Sequence, residues 1–357
     1  MKKVKTNKEK ERFKVVVAMS GGIDSSVAAA LLKRKNFEVM GVFMKLVDLP
    51  SFRNNEKIAK KVAEILKIKF LVLDLRKEFK KRVIDYFLRE YKKGRTPNPC
   101  IVCNKEIKFG LLLEKALSLG FDFVATGHYV LKREIENKNS KIIYKLFRAK
   151  DKEKDQSYFL WQLNQKQLKH ILFPIGDYTR KEVENLARKF KLPVLKAKKS
   201  VEICFIQTII DDFLKKYLKE ALGKIIDKNG KVIGKHQGLW FYTIGQRKGI
   251  GLPGGPYYVL EKDLKRNFLV VTKEEKDLYK KALICENVNW ISGKKPKLPL
   301  KIKAKIRYRQ NSTSAIIKKL KVKKYKLIFK RPQRAITAGQ SVVFYKGQNL
   351  LGGGIIC

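Results

Sequence analysis

The sequence predicts an α/β chain in which a doubly wound parallel-sheet domain is followed by a small central α+β domain and a C-terminal β-barrel. In the first half, short β-branched runs alternate with amphipathic helical stretches. Such alternation builds a parallel sheet with helices on both faces. Beyond Gly249 the chain is mostly short strands separated by turn signals, which is typical of a small barrel.

The elements of the first domain follow from their periodicity. Four β-branched or apolar runs predict the strands Lys14–Met19, Glu38–Met44, Phe70–Asp74 and Phe123–Thr126. Between them, apolar residues recur at three- and four-residue spacing. This spacing predicts the helices Ser25–Lys35, Asn55–Leu66 and Glu78–Tyr91.

The second half begins with a predicted helix at Asp211–Leu222. A hairpin follows, because Asn229-Gly230 between apolar runs favours a tight turn. Later runs predict five strands: YYVLEKD, NFLVVT, LKIKAKIRY, YKLIFK and SVVFY. We therefore divide the chain into a basic N-terminal arm at 1–12, a first domain at 13–206, a central domain at 207–278 and a barrel at 279–357.

Charge is the most unusual property of the composition. The chain has 357 residues, with 82 Lys and Arg against 33 Asp and Glu and a formal net charge of +49. Such a field attracts a polyanion, of which nucleic acid is the first candidate. Because 44% of the residues are hydrophobic, the chain can still bury ordinary cores and is not a disordered basic tail.

The sequence predicts a cytoplasmic location and no contact with a membrane. No apolar run approaches the roughly 18 residues that a membrane span requires, and the first residues lack the apolar stretch of a signal peptide. Five cysteines are an odd number without the spacing of a secreted disulfide framework. We therefore expect a protein of the reducing cytoplasm.

One predicted strand combines charge with periodicity. Within LKIKAKIRY, the cations Lys301, Lys303, Lys305 and Arg307 alternate with apolar residues, so one face of the strand is a row of positive charge. A solvated outer face explains this pattern, and so does a surface that faces RNA. The net charge of the chain favours the second interpretation.

The first strand leads directly into Ser20-Gly21-Gly22-Ile23-Asp24-Ser25-Ser26 and then a helix. Glycines let the backbone approach a phosphate closely, and the free amides of a helix start attract an anion. For a bare Ser-Gly-Gly, an ordinary capped turn is the alternative. The loop lacks the Lys with which a P-loop reaches the terminal phosphates. It therefore favours a grip on pyrophosphate and transfer of AMP to an oxygen.

A CxxC pair supplies the second candidate chemistry. Cys100 and Cys103 follow the rigid turn Pro97-Asn98-Pro99 at the start of a predicted helix. There the helix dipole, together with Arg95 and Lys105, should lower the pKa of a thiol and favour the thiolate. Half of a structural zinc site is the alternative, although the sequence has no second CxxC and no HxxxH.

The other cysteines are less specific. Cys204 stands among apolar residues in Glu202-Ile203-Cys204-Phe205-Ile206, which alone is typical of a buried core thiol. Paired with Cys103, it becomes the second sulfur of a two-thiol mechanism. Cys285 and Cys357 have no motif around them, and we leave both as structural or incidental.

Taken together, the motifs resemble those of tRNA-specific 2-thiouridylases. The matching strings occur in the order of that family and cover the chain after the arm: SGGIDSS, FMK, GRTPNPCIVCNKEIKFG, ATGHY, KDQSYFLW, EICFI, GLWFYTIGQRKGIGL, IRYRQ, PQRAITAGQSVVFY and LGGGII. The resemblance implies a pyrophosphate-loop ATP-binding domain. It also implies an ATP-dependent sulfurtransferase that replaces the 2-oxygen of the wobble uridine with sulfur in the tRNAs for Lys, Glu and Gln.

The resemblance assigns roles to individual residues. It implies that the ATP site consists of Ala18, Met19, Ser20, Gly21, Gly22, Ile23, Asp24, Ser25, Met44 and Gly127. Cys204 matches the residue that carries a persulfide, and Cys103 matches the partner that releases sulfide from it or forms a disulfide with Cys204. The target base, flipped from its stack, would be contacted by Asn98, Pro99 and Cys100. Segments that bind tRNA are matched by Lys154, Asp155, Gln156, Tyr308 and Arg309.

Two further positions, His128 and Gln340, match residues that are important for activity in the family. An ordinary hydrogen-bonded histidine is the alternative for His128. The implied partners are the anticodon arm of tRNA and a sulfur donor such as a cysteine desulfurase or a sulfur-relay protein. ATP with Mg²⁺ is the implied cofactor set, and a monomer is expected.

The chain departs from the family pattern in two places. Many members have Asp where this chain has Cys100, so Cys100, Cys103 and Cys204 could instead ligate a 4Fe-4S cluster that holds sulfide. Ahead of EICFI the family has an acidic residue and a Gln, where this chain has Lys199-Ser200-Val201.

Two other functional classes remain as alternatives. An adenylating enzyme of the same fold that transfers nitrogen would not need Cys103 and Cys204. A non-catalytic RNA-binding protein with an inherited nucleotide fold would bind tRNA without ATP, and Cys204→Ala would leave its function intact.

The charge predicts a strong salt dependence. We expect the affinity for tRNA to fall steeply as the salt concentration is raised. When Lys and Arg bind tRNA phosphates, they release the cations condensed on the RNA, and added salt opposes this release. Fluorescence anisotropy with labelled tRNA over a series of KCl concentrations measures the slope. Affinity that stays flat between low and moderate salt would remove the charge argument.

Overall fold

The computed structural model describes residues 12–136, 140–194, 203–206, 209–320 and 323–357. The predicted fold class is confirmed: a parallel sheet with helices, a small central sheet and a closed barrel follow one another along the chain. Residues 1–11, which contain most of the predicted basic arm, and Lys199-Ser200-Val201 lie outside the described residues.

The first domain is built on a five-stranded parallel sheet. Its order is β3-β2-β1-β4-β7, with the strands β1 Lys14–Ala18, β2 Glu38–Lys45, β3 Lys69–Asp74, β4 Phe123–Ala125 and β7 Ile171–Leu172. The strand order reverses between β1 and β4. In open α/β sheets the crevice at such a switch point, beyond the carboxyl ends of the strands, is the usual ligand site.

Helices cover both faces of this sheet. They are α1 Ile23–Arg34, α2 Pro50–Ile65, α3 Arg76–Phe79, α4 Asp85–Lys92, α5 Pro99–Cys103, α6 Leu112–Ser118, α7 Gln165–Lys169 and α8 Arg180–Lys189. A π-helical segment, Lys80–Ile84, joins α3 to α4, and another, Asn104–Leu111, joins α5 to α6. Such segments are frequent at functional sites. No helix within the described ranges is long and apolar enough to cross a bilayer.

The two faces of the sheet pack against different partners. On one face α1, α2 and α8 contribute Val27, Ala59 and Val183 to a buried core. On the other face the core contains Phe109 of the second π-helical segment together with Tyr345 of the barrel. The barrel therefore lies on the face of the sheet opposite α2 and α8.

The central domain has a four-stranded sheet with the order β10-β11-β8-β9. Its elements are α9 Ile210–Lys215, β8 Gly223–Asp227, β9 Val232–His236, β10 Tyr258–Asp263 and β11 Phe268–Thr272. The predicted hairpin is present between β8 and β9, with Gly230 at φ 89°. The predicted helix to Leu222 is too long, because the chain beyond Lys215 turns toward this sheet and Ala221 N–H donates to the Gln237 carbonyl.

The last domain is a closed six-stranded barrel. Its strands run in the order β12-β15-β14-β13-β16-β17, and β12 pairs with β17 to close it. They are β12 Tyr279–Trp290, β13 Leu300–Lys305, β14 Thr313–Lys319, β15 Lys324–Arg334, β16 Ser341–Lys346 and β17 Asn349–Ile356. In β13 the apolar residues face inward as predicted, with Ile302 and Ala304 buried. The strand ends at Lys305, three residues before the predicted end.

Strand pairing ties the first domain to the barrel. The hairpin β5 Val130–Glu136 and β6 Ile142–Arg148 leaves the first domain, and β6 pairs with β17. Buried polar contacts add to this joint: the Trp161 indole donates to Ser341 Oγ at 3.1 Å and the Tyr158 hydroxyl to the Ser341 carbonyl at 2.8 Å. Because buried hydrogen bonds are costly to break, the barrel has a fixed position on the first domain.

Candidate nucleotide and cysteine site

The Ser-Gly-Gly loop lies at the switch point of the sheet. β1 ends at Ala18 and α1 begins at Ile23. Ser25 Oγ accepts from Ser20 N–H at 3.1 Å and donates to the Gly22 carbonyl at 3.1 Å. Because these bonds hold the loop over the start of a 12-residue helix, its free amides and the Ser20 hydroxyl form a preorganised anion site.

Two glycines make the loop geometry possible. Gly21 has φ +75°, and a Cβ there would lie 2.4 Å from the Asn55 carbonyl oxygen. A Cβ on Gly127 would lie 2.6 Å from Ser25 N. α2 and the segment after β4 therefore approach the loop so closely that neither glycine accepts a side chain without moving backbone.

Asp24 is held by two residues that the motifs did not single out. Its Oδ1 accepts from the Tyr129 hydroxyl at 2.7 Å and from Arg180 Nη1 at 2.9 Å. Burial raises the pKa of Asp24, while Tyr129 and Arg180 act in the opposite direction. Arg180 brings a cation to the phosphate loop from α8. Its only sequence signal is a basic residue directly after the capping residue Thr179.

The remaining predicted nucleotide residues lie at the same edge. Met19 N–H donates to the Val42 carbonyl at 2.8 Å, which fixes the exit of β1 against β2. Met44 is half-buried near the carboxyl end of β2. The structure therefore brings together the loop Ala18–Ser25, Met44 and Gly127.

The CxxC pair stands at the start of α5, as predicted. Pro99 is the first residue of the helix and is buried, whereas Asn98 and Cys100 are half-buried. Cys103 is the last residue of α5 and belongs to the core between the first and central domains. Asn98 and Cys100 thus line the surface above a buried Cys103.

Cys204 lies on the same core, although it is far away in the chain. Ile206 N–H donates to the Ile203 carbonyl at 3.0 Å, which closes a tight turn around Cys204. The next residue, Phe205, packs edge-on against Phe79 and Phe87, with ring centroids 5.7 and 5.6 Å apart. Both Phe205 and Cys103 are members of this core. The two cysteine segments therefore converge.

The three sulfurs influence one another's ionisation. Burial, followed by the smaller effects of the nearby Cys103 and Cys100, raises the pKa of Cys204 to about 12. Cys204 is nevertheless an exposed residue. Both facts fit a residue that lines an open cleft, where water reaches part of the residue and protein surrounds the sulfur. Cys103, by contrast, is buried.

The predicted low pKa at the CxxC pair is wrong. Burial raises the pKa of Cys103 to about 11 and also raises that of Cys100. The two cations that were expected to favour a thiolate are engaged elsewhere: Lys105 with Glu106 at 3.2 Å, and Arg95 with Glu90 at 3.4 Å. Desolvation therefore outweighs the dipole of the five-residue helix α5.

Lys108 is the cation that acts on the cluster. It lies one helical turn beyond Cys103 in the second π-helical segment and is half-buried. Its charge lowers the pKa of Cys100, Cys103 and Cys204 against the larger effect of burial. The sequence pattern gave no reason to prefer Lys108 over Lys105. The difference arises because the helix directs Lys108 toward the cysteines.

The loop that carries the CxxC pair is held by all three domains. Lys262 of β10 donates to the Gly94 carbonyl at 3.1 Å. From the barrel, Gln340 Nε2 donates to the Thr96 carbonyl at 2.8 Å, and the Ala338 carbonyl accepts from Thr96 N–H at 2.9 Å. Gln340, which was predicted to be important for activity, therefore positions this loop.

His128 is buried behind the nucleotide loop. Its Nδ1 lies 2.7 Å from Thr126 Oγ1, and its ring packs against Phe109 and Phe173. Burial lowers its pKa well below the usual value, and Lys108 adds to this effect. His128 is therefore neutral at physiological pH. Its predicted role in activity stays a prediction.

The predicted tRNA-binding segments meet at the surface of the domain joint. Lys154 is exposed, whereas Gln156 is half-buried with Oε1 accepting from Tyr129 N–H at 3.0 Å. Tyr308 stacks on Phe159 with centroids 4.4 Å apart. Arg309, next to it, is exposed.

Asp155 differs from the others in this group. It is buried, and its carboxylate accepts from Ser157 N–H at 3.1 Å and Ser157 Oγ at 3.0 Å. The side chain therefore stabilises the turn that presents Lys154 and Gln156.

Cys285 and Cys357 lie away from this cluster: Cys285 is on β12, and Cys357 directly follows the neighbouring strand β17. Cys285 is buried in the barrel, and Cys357 N–H donates to the Ile284 carbonyl at 3.0 Å. Burial raises the pKa of both thiols. The structure gives neither thiol a contact with the cysteines of the first domain.

The fold and site define a nucleotide-binding domain with a cysteine cluster, joined to two small β domains. Family profiles match the chain in the same three parts. The profile described as tRNA methyl transferase HUP domain matches residues 13–208. Those described as tRNA methyl transferase PRC-barrel domain and Aminomethyltransferase beta-barrel domain match 211–273 and 280–356.

Curated relatives cover nearly the whole chain. The tRNA-specific 2-thiouridylase MnmA 2 of Thermoanaerobacter sp. (strain X514) is 46% identical over 96% of this chain and 97% of its own. The MnmA proteins of Carboxydothermus hydrogenoformans and Clostridium perfringens (strain 13 / Type A) are 44% and 45% identical, over 97% and 96% of this chain and 98% of theirs. This chain belongs to the family of tRNA-specific 2-thiouridylases, as its motifs predicted.

Removing the charge of Lys108 should shift the reactivity of the cysteines. In Lys108→Gln we expect the pKa of Cys103 and Cys204 to rise further, because the nearby cation that favours the thiolate is lost. Each unit of added pKa slows alkylation at fixed alkaline pH by about tenfold. Iodoacetamide labelling of each cysteine across a pH series, read by mass spectrometry, measures this shift. Lys105→Gln is the matched control, and an unchanged or more acidic profile in Lys108→Gln would contradict the assignment.

Proposed function

We propose that this chain replaces the 2-oxygen of the wobble uridine with sulfur that Cys204 carries as a persulfide. The substrates are the tRNAs for Lys, Glu and Gln. ATP-dependent 2-thiouridylation of tRNA, a sulfurtransferase reaction, is the activity of the family to which it belongs. The observation that carries the finer proposal is the convergence of Cys103 with Cys204. Cys103 shares a core with Phe205, the neighbour of Cys204, and is near enough to raise the pKa of Cys204. Neither a nitrogen-transferring enzyme nor a non-catalytic RNA-binding protein needs that convergence.

The nucleotide half of the site is suited to activating an oxygen. A urea-like carbonyl oxygen is a poor leaving group, and bound ATP supplies the AMP group that makes it a good one. The amides of Gly21 and Gly22 and the Ser20 hydroxyl, with Arg180 beside them, would hold the phosphates, with Mg²⁺ as their counterion. A loop without a P-loop lysine suits release of pyrophosphate.

In the sulfur half of the site, the two cysteines differ in their exposure to solvent, and we assign them different tasks. Exposed Cys204 can receive sulfur from a donor such as a cysteine desulfurase or a sulfur-relay protein. Attack of the terminal sulfur on C2 of the uridine would displace AMP. The buried Cys103 would then attack Cys204 Sγ, release 2-thiouridine and leave a Cys103–Cys204 disulfide that a thiol reductant reopens.

A variant of this order leads to the same products. Cys103 would first attack the persulfide and release sulfide, which then attacks C2. Both orders need a thiolate at Cys103. Burial raises the pKa of Cys103 to about 11, and the charge of Lys108 favours the thiolate against this effect.

The surface around the cluster suits the anticodon arm of tRNA. Asn98, Pro99 and Cys100 would contact the flipped uridine above Cys103. Lys154, Gln156, Tyr308 and Arg309 would contact the strand that leads to it, with Asp155 supporting them from inside. We propose that the protein acts as a monomer in the cytoplasm.

The iron-sulfur alternative remains a prediction of the sequence. Within the described ranges, no group of three or more His, Cys, Asp or Glu residues is arranged to hold a metal ion. No step of the proposed mechanism therefore uses a cluster. Iron and acid-labile sulfide analysis of anaerobically purified protein distinguishes the two routes.

Substitution of either cysteine tests the persulfide mechanism. In Cys204→Ser and Cys103→Ser we expect loss of 2-thiouridine by a factor of at least a thousand, while pyrophosphate release dependent on tRNA continues. The reason is that adenylation uses only the nucleotide half of the site. Mass spectrometry of digested tRNA and a pyrophosphate assay measure the two steps. Cys357→Ser is the matched control, and thiolation that survives both substitutions would overturn the proposal.

A further inference from the structure

The barrel has a charge distribution that the chemistry above does not explain. Residues 279–357 contain 20 Lys and Arg and a single acid, Glu286, whereas the other 278 residues contain 62 Lys and Arg against 32 acids. Glu286 is already engaged, because its carboxylate lies 3.7 Å from Arg95 of the first domain. The cations of the barrel therefore have no carboxylate of their own domain to neutralise them.

Several of these cations line one groove on the outside of the barrel. β12, β15, β14, β13 and β16 lie side by side, and they form a groove of about 600 Å³. Its lining includes Lys281, Lys301, Lys303, Lys330 and Lys346, all exposed, with Ile316 on the floor. We call these six residues the barrel groove.

Strand register explains why these side chains meet. Directly paired residues of antiparallel strands point to the same side of a sheet. Ile316 pairs with Lys301 on one side and with Ile328 on the other. The outward positions of β13 therefore place lysines at the edge of a shallow apolar strip, while Ile302 and Ala315 fill the inside of the barrel.

The groove is continuous with the predicted tRNA-binding surface. Lys305 follows Lys303 at the next outward position of β13, and its Nζ lies 5.9 Å from the centre of the Tyr308 ring. Tyr345, which also lines the groove, packs against the core of the first domain. The cations thus begin beside Tyr308 and lead away from the cysteine cluster over the barrel.

We propose that the barrel groove binds the sugar-phosphate backbone of tRNA outside the anticodon arm. This inference rests on the proposed function, which places the wobble uridine at the cysteine cluster. Five strands about 4.8 Å apart spread the lysines over roughly 19 Å, a width that accommodates several phosphates. Contacts between lysines and phosphates fix the position and orientation of a nucleic acid but carry no information on its base sequence. The groove therefore adds affinity and orientation, without selecting the sequence of the tRNA.

The test compares full-length tRNA with its isolated anticodon stem-loop. In the triple variant Lys301→Gln, Lys303→Gln and Lys330→Gln, we expect Kd for full-length tRNA to rise about tenfold or more. The slope of log Kd against log salt should fall by about 2 to 3, close to one counterion for each lost lysine. Kd and the thiolation rate of the stem-loop should stay within twofold of the unmodified protein.

The matched control removes three lysines from the opposite face of the first domain. Lys60 and Lys61 of α2 and Lys189 of α8 are exposed and lie on the sheet face away from the barrel. Their triple Gln variant should leave the difference between full-length tRNA and stem-loop unchanged. Circular dichroism and thermal melting of both variants verify that each is folded.

Three results would overturn the inference. Unchanged binding of full-length tRNA, or equal weakening of tRNA and stem-loop, would show that the groove does not contact the body of tRNA. Loss of binding to a sulfur-donor protein with tRNA affinity intact would assign the groove to a protein partner. Failure of the proposed function is distinguishable, because the unmodified protein would then thiolate neither RNA.

Discussion

The site depends on one hydrophobic core shared by two domains. Phe205 inserts between Phe79 and Phe87, and the same core contains Cys103 and the inner residues of the central sheet, among them Val259. Burying an aromatic side chain of this size is worth about 2 to 3 kcal/mol, so the turn that carries Cys204 is fixed by packing. Cys103 and Cys204 are about a hundred positions apart in the chain. The apolar contacts of Phe205, the residue next to Cys204, thus bring the two cysteines together. The same burial raises the pKa of both thiols, and the charge of Lys108 opposes this effect.

A second constraint is the anchoring of the loop before Cys100. Lys262 of the central domain and Gln340 of the barrel bind its carbonyls, and the barrel is itself fixed to the first domain through β6 and Trp161. An RNA that touches the barrel and the first domain together therefore contacts elements that also hold the loop over Cys103. This arrangement explains how a small chain can combine a large RNA-binding area with a buried reactive thiol.

The sequence was sufficient for the fold class, four of the five strands in the sheet of the nucleotide domain, the Asn229-Gly230 hairpin and the family with its reaction, because these depend on local periodicity or on long specific motifs. It was insufficient wherever the outcome depends on contacts between distant segments. The thiol pKa prediction failed because packing of the first domain against the central domain buries the CxxC segment, and desolvation raises the pKa of Cys100 and Cys103. The inward orientation of Asp155, the contact of Arg180 with Asp24 and the pairing of β6 with β17 have no local signal. Helix Asp211–Leu222 was predicted too long because its later residues join another element.

The convergence of Cys103 and Cys204 is tested most directly by mild oxidation of the folded protein, followed by proteolysis and mass spectrometry under non-reducing conditions. If the shared core brings the two segments together, a peptide pair linked through Cys103 and Cys204 will be the main disulfide. It will be lost in Phe205→Ala, which removes the packing that fixes the turn. Oxidation that links Cys204 only to other molecules, or leaves Cys103 free while Cys204 reacts, would contradict the convergence on which the proposed mechanism is built.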